Sequence, residues 1–205
     1  MSPLVPVKVR SFAIDLTDDS RLMSLQDILA KEKPDVKWLI NAAGYGKIGD
    51  VGTINIGDEM GMVELNCKAL CAVTHMVLPY MSLNSRIIQF SSAASFLPQP
   101  GFAIYAATKS FVLSYSRALN EELKEKGIYV TAVCPGPVRT EFFDIAETTG
   151  KIPLYKRVVM ANPKKVVRLA LRDSMMGRPV SVYGTTMKPS GFYAKQCPTP
   201  QSFVL

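Results

Sequence analysis

The sequence predicts an α/β domain built around a parallel sheet, and three observations carry that expectation. Short apolar runs of strand length are near-continuous rather than alternating, as in strands buried on both faces. Helix-length stretches separate them, which is the connection parallel strands require. A chain of 205 residues with 48% hydrophobic content can bury one core, so residues 1–205 read as a single domain.

The elements follow in order. Residues 7–12 form the first strand candidate and 20–31 the first helix. A strand at 36–40 runs into the turn Asn41-Ala42-Ala43-Gly44, and a long helix is expected over 58–82. The apolar run 86–91 reads as a buried strand and precedes a loop bearing Pro98, Pro100 and Gly101. The helix at 102–126 places Val112, Tyr115, Leu119 and Leu123 at core spacing, so Tyr115 is assigned to packing. A strand at 128–134 ends on Cys134, and one at 179–183 closes the sheet. Between them a helix at 163–176 has Asn162 as its N-cap, Pro163 at its first position and Gly177 beyond its end. The tail, residues 184–205, is rich in Pro and aromatics and matches no pattern.

Composition narrows the function. No apolar run approaches the roughly 18 residues of a membrane span, and residues 1–6 lack the basic start and apolar stretch of a signal peptide. The expected compartment is therefore the cytoplasm. Cys67, Cys71, Cys134 and Cys197 fit no metal spacing and read as reduced, apolar fillers. His75 reads as structural. Charge is uneven: residues 151–205 hold ten Lys or Arg against the single Asp173. A solvated helix face accounts for this, with Lys165, Arg168 and Arg172 opposite Val166, Val167, Ala170 and Leu171. Attraction of an anionic substrate or partner, such as a phosphate-bearing acyl carrier or an anionic membrane surface, is the alternative. No recognition motif accompanies the charge, so nucleic acid is not expected.

The most chemically informative stretch is Tyr105-Ala106-Ala107-Thr108-Lys109. Residues i and i+4 share a helix face, so an ammonium sits beside a phenol with small side chains between them. That charge favours the phenolate and is expected to bring the Tyr105 pKa down from near 10 toward working pH. Ser92 lies thirteen residues upstream, where a strand gives way to a loop. Chance placement of such a Ser, Tyr and Lys gives an expectation of only about 0.05 in a chain of this composition.

With these residues the chain resembles the short-chain dehydrogenase/reductase family, from about residue 7 to about residue 183. Asn41-Ala42-Ala43-Gly44 looks like the family's Asn-Asn-Ala-Gly turn, with Ala at the second position. Asn66, in Glu64-Leu65-Asn66-Cys67-Lys68, matches the Asn of the long central helix, and Ser92, Tyr105 and Lys109 complete an Asn-Ser-Tyr-Lys tetrad. Pro135-Gly136-Pro137-Val138-Arg139-Thr140 resembles the nicotinamide-side loop, and Asp15-Leu16 matches the pair beside the adenine. The resemblance implies a Rossmann-like doubly wound parallel sheet. It also implies catalysis by Asn66, Ser92, Tyr105 and Lys109, with cofactor contacts from Asp15, Leu16, Asn41, Ala42, Ala43, Gly44, Tyr105, Lys109, Pro135, Gly136, Val138 and Thr140. The implied cofactor is NAD(P)(H), with NADP favoured over NAD, and the implied reaction is hydride transfer at a carbonyl or alcohol. The substrate is a small molecule, anionic or acyl-linked as one option, and the expected assembly is a homo-oligomer.

One departure stands at the front. The family opens with a strand, a Thr-Gly-x-x-x-Gly-x-Gly turn, a helix and a second strand, whereas this sequence starts at what corresponds to the third strand. The expected sheet therefore lacks the first βαβ unit and has a gap bordered by two unpaired edges. The lost turn is the one that holds the pyrophosphate, so weak cofactor binding is expected of the chain as given. Gly44-Tyr45-Gly46-Lys47-Ile48-Gly49 does not replace it: the G-x-G-x-x-G pattern must open a helix, yet residues 50–57 are β-branched and broken by glycine. A loop over the cofactor's far side is the better reading. Two functional classes remain at this point, an oxidoreductase with Tyr105 as general acid/base and a non-catalytic remnant acting as an assembly partner.

Overall fold

The computed structural model of the protein describes residues 8–142, 146 and 160–183. Its centre is a four-stranded, all-parallel sheet in the order β1-β2-β3-β4, formed by Val36–Asn41, Met81–Phe90, Tyr129–Val133 and Val180–Ser181. Parallel neighbours need crossovers. These are α2 (Ile56–Val63) and α3 (Leu70–Val77) between β1 and β2, α4 (Ala103–Glu122) between β2 and β3, and α5 (Pro163–Met175) before β4. An initial helix, α1 (Asp19–Glu32), starts where Asp18 Oδ1 accepts from the backbone N–H groups of Ser20 and Arg21.

Adjacent residues of β2 face opposite layers. Ile87 packs with Leu39, Val130, Leu119 and Leu123 beneath α1, α3 and α4. Ile88 packs with Val133, Val166 and Ala170 beneath α5. Burial on both faces is why β2 and β3 read as continuous apolar runs. The α5 boundaries follow the sequence signals: Asn162 Oδ1 accepts from Lys164 N at 2.9 Å, and Gly177 adopts φ 67° just past the end.

Four expectations need correction. Residues 8–12 form no strand; Arg10 instead pairs with Glu32 and lies over the Phe12 ring at 5.2 Å, while Val9 and Phe12 are exposed. With no ladder there, the described sheet ends at β1 on one side and β4 on the other, and no second edge faces β1 across a gap. The helix expected over 58–82 is α2, a π-turn at Glu64–Ala69, α3 and a 3₁₀ turn at Leu78–Tyr80, after which Met81 already begins β2. Pro79 explains the stop, because it has no N–H for an α-helical bond and its ring crowds the preceding turn. On α5, Val166 and Ala170 are buried as expected but Val167 is 45% exposed.

Among the described residues no helix is long and apolar enough to cross a membrane. Asp173, the single acid of the basic C-terminal region, is buried in a satisfied cluster: Arg178 Nη1 donates to it at 2.9 Å and Ser181 Oγ at 2.8 Å. Cys67 and Cys71 are half-buried and Cys134 is buried, and none of the three forms a disulfide. Residues 184–205, including Cys197, lie outside the described residues.

Candidate active site

The carboxyl ends of β1, β2 and β3 open on one cavity of about 930 Å³. This is where open α/β sheets bind ligands, because the loops leaving neighbouring strands diverge there. Ser92, Tyr105 and Lys109 all line it, as do Ala42, Gly44, Pro135, Gly136, Val138 and Thr140. Asp15, Leu16, Asn41, Ala43 and Asn66 stand outside its lining.

Each lining residue is fixed by its own element. Ser92 follows β2 and caps a 3₁₀ turn, its Oγ accepting from Ala94 N at 3.1 Å. Ala93 N donates to Pro135 O at 2.8 Å, which ties the serine loop to the Pro-Gly loop after β3. That second loop is pinned in turn by Ala161 N donating to Pro137 O and Arg139 N to Ala161 O. Tyr105 and Lys109 lie one turn apart on α4, both buried. Ser91 Oγ donates to the Lys109 carbonyl at 2.7 Å and so locks α4 against the end of β2.

Asn66 does not face the cavity but builds its wall. Its Oδ1 accepts from Tyr45 N at 3.0 Å, and its Nδ2 donates to Tyr45 O at 2.9 Å and to Thr108 Oγ1 at 3.1 Å. The Asn41 side chain also turns inward, with Nδ2 donating to Thr74 Oγ1 and Gln89 Oε1, each at 2.9 Å.

The electrostatics correct one expectation. Tyr105 is not brought toward working pH: burial pushes its pKa up to about 12, and the Ser92 hydroxyl offsets this only in part. Burial likewise brings Lys109 down to about 8, with Cys67 and Cys134 pulling weakly the other way. The reason is geometric. Lys109 Nζ sits 5.6 Å from the Tyr105 ring centroid and donates to the Phe90 carbonyl at 2.9 Å, while burial and the Ser92 hydroxyl are what act on the phenol. At neutral pH the site therefore holds a protonated phenol beside a charged ammonium.

Some wall residues carry no signal among the sequence motifs. Phe102 stacks on Tyr105 with centroids 4.2 Å apart and an interplanar angle of 20°, and Phe142 packs at 5.4 Å. Phe102 was legible in principle, since it precedes Tyr105 by three residues at the start of the same helix. Phe142 and the α5 residues Pro163, Val166 and Val167 reach the cavity from distant sequence. With Leu97 they make its far wall apolar.

The residues present fit the nicotinamide end of a dinucleotide. A Cβ on Gly44 would lie 2.8 Å from Asn66 Oδ1 and 3.2 Å from Lys109 Nζ, so glycine alone lets that loop approach the ammonium so closely. Residues 44–49 open no helix: turns intervene and α2 begins only at Ile56. That removes the structural context a pyrophosphate turn requires.

Comparison with known proteins agrees with this geometry. A sequence model described as short chain dehydrogenase matches residues 4–149. The very-long-chain 3-oxoacyl-CoA reductase of Mus musculus is 39% identical over 171 residues, covering 78% of this chain and 53% of the relative. Sulfoacetaldehyde reductase 2 of Chromohalobacter salexigens is 33% identical over 140 residues, covering 66% of this chain and 56% of the relative. The chain thus spans about half the length of these curated relatives. Among solved structures, a short-chain dehydrogenase from Sphingobium yanoikuyae in complex with NADPH superimposes with a TM-score of 0.74 at 27% identity, covering 94% of this chain and 76% of that one.

Proposed function

The chain belongs to the short-chain dehydrogenase family, and from that premise we propose that it serves a nicotinamide-dependent oxidoreductase in which Tyr105 exchanges a proton with the oxygen of a carbonyl or alcohol substrate. The observation that carries this is the convergence of Ser92, Tyr105, Lys109 and the Pro135–Val138 loop on one cavity. NAD(P)H, when bound, supplies the hydride. Lys109, Pro135, Gly136, Val138 and Thr140 would hold its nicotinamide end, and the NADPH complex of the Sphingobium relative favours the phosphorylated form.

The chain's own residues handle the proton. A buried phenol that remains protonated at neutral pH is in the form that can give a proton to a developing alkoxide. The Ser92 hydroxyl donates a hydrogen bond to the same oxygen as charge develops. Lys109, charged below about pH 8, stabilises the phenolate left behind and leaves the Phe90 carbonyl when a ligand offers better acceptors. Asn66 acts by fixing the loop over the site. The apolar wall of Leu97, Phe102, Phe142, Val166 and Val167 suits an alkyl or acyl substituent on the substrate. Lys164, Lys165 and Arg168 lie exposed on the helix that supplies part of that wall, which suits an anionic carrier. The named substrates of both curated relatives carry such a charge.

A second reading is a non-catalytic family member. It is favoured by one observation: among the described residues no glycine-rich turn opens a helix at the cavity. Calorimetric titration of NADPH separates the two, run on the 205-residue chain beside a version extended by a glycine-rich βαβ unit. Weak binding by the first and tight binding with carbonyl reduction by the second supports the enzyme. Tight binding without turnover by the second supports the alternative.

A further inference from the structure

The Gly44-Tyr45-Gly46 segment opens no helix, so a pyrophosphate turn does not account for its second glycine. Gly46 is buried, and its φ lies outside the left-handed region, so backbone conformation does not demand glycine. Space does. A Cβ at Gly46 would lie 2.7 Å from Tyr105 Cδ2 and 2.9 and 3.0 Å from Phe102 Cζ and Cε2. Those are the two rings stacked at 4.2 Å.

Neither side can retreat from an added methyl. The loop is held by Asn66 on Tyr45 N and O, by the Tyr45 hydroxyl donating to Asp58 O at 3.0 Å, and by Gly49 N donating to Gly101 O at 2.8 Å. The Tyr105 ring is confined between Phe102 and Phe142, within a cluster that includes the fully buried Met62. We propose that Gly46 is a positioning residue for proton transfer: its missing side chain is the volume that lets the Tyr105 ring lie stacked on Phe102 with its hydroxyl aimed into the cavity. The inference rests on the reading of Tyr105 as the proton donor, while the packing it invokes does not.

The test uses the full chain labelled with ¹³Cζ-tyrosine, the Tyr105 resonance being assigned by its loss in Tyr105→Phe. Gly46→Ala is expected to shift that resonance and, in the version extended by a glycine-rich βαβ unit, to lower turnover about 10²-fold, the scale of a misplacement near 1 Å, with cofactor affinity unchanged. Adding Phe102→Leu removes ring carbons that the new methyl would meet and is expected to move the resonance back toward its wild-type position. If Gly46→Ala does not fold, Gly46→Ala/Phe102→Leu is compared with Phe102→Leu alone, and a shift between them is expected. An unshifted Tyr105 resonance in whichever pair is measured overturns the role of Gly46. Undiminished turnover in Tyr105→Phe overturns the reading of Tyr105 instead, so the two failures are distinguishable.

Discussion

The Asn66 carboxamide satisfies both backbone polar groups of Tyr45, accepting from its N–H at 3.0 Å and donating to its C=O at 2.9 Å. A loop residue is thereby clamped to the central helix region by one fully buried side chain. Asn66→Ala leaves those two groups without their partner, while the Thr108 hydroxyl keeps its bond to the Tyr105 carbonyl at 2.8 Å. Buried polar groups so orphaned cost about 1–3 kcal/mol each, less where water enters. The expected loss is therefore roughly 2–4 kcal/mol of unfolding free energy, measured by urea denaturation. A loss below about 0.5 kcal/mol, the range of ordinary surface substitutions, would show that the clamp is not needed.

Lys109 gives a pH signature of stability. Its folded pKa of about 8 lies below the ordinary 10.5, so between those values the unfolded chain binds a proton that the folded chain lacks. Stability from this group is full above the upper value and is lost as pH falls through the lower one. Cys67 and Tyr105 are shifted upward, to about 11 and about 12, and pull the opposite way above their ordinary values of 9.0 and 10.0. The window from about pH 8 to about pH 9 is thus the clean one. Across it, unfolding free energy of the wild type should rise relative to Lys109→Met. A constant difference would mean that Lys109 is not desolvated as the structure has it.

Trp38 reports on the sheet edge. Among the described residues strand β1 pairs only with β2, and Trp38 and Ile40 are 39% and 48% exposed on the face where α5 covers β2, β3 and β4. An open edge with apolar side chains favours association. Light scattering at micromolar concentration should show a dimer or larger species, with a concentration-dependent blue shift of the emission from Trp38, the chain's one tryptophan. Trp38→Lys should weaken the association. A stable monomer with constant emission would count against this edge as a contact.

Much of this was legible in the sequence because it is local. The β2 and β3 strands, α5 with its Asn162 cap and Gly177 stop, and the Tyr105–Lys109 turn are set by periodicity and capping within a few residues. What failed depended on partners in space. Residues 8–12 have strand composition but no neighbour to complete a ladder among the described residues. The sequence placed an ammonium beside a phenol, yet burial of both and the Phe90 carbonyl decide their charge. Phe142 continues the Pro135–Thr140 loop into the site, whereas Val167 joins it from α5 through chain folding, and no spacing rule assigns either to the wall.

The central claim is that Tyr105 transfers the proton, and the most direct measurement compares Tyr105→Phe with the wild-type residue in the extended protein, following NADPH oxidation with a 3-oxoacyl thioester. The substitution removes one hydroxyl and keeps the ring stacked on Phe102. Turnover should fall by about 10²- to 10⁴-fold, the usual contribution of general acid catalysis, with NADPH affinity unchanged. A Tyr105→Phe enzyme that turns over at the wild-type rate would contradict the account.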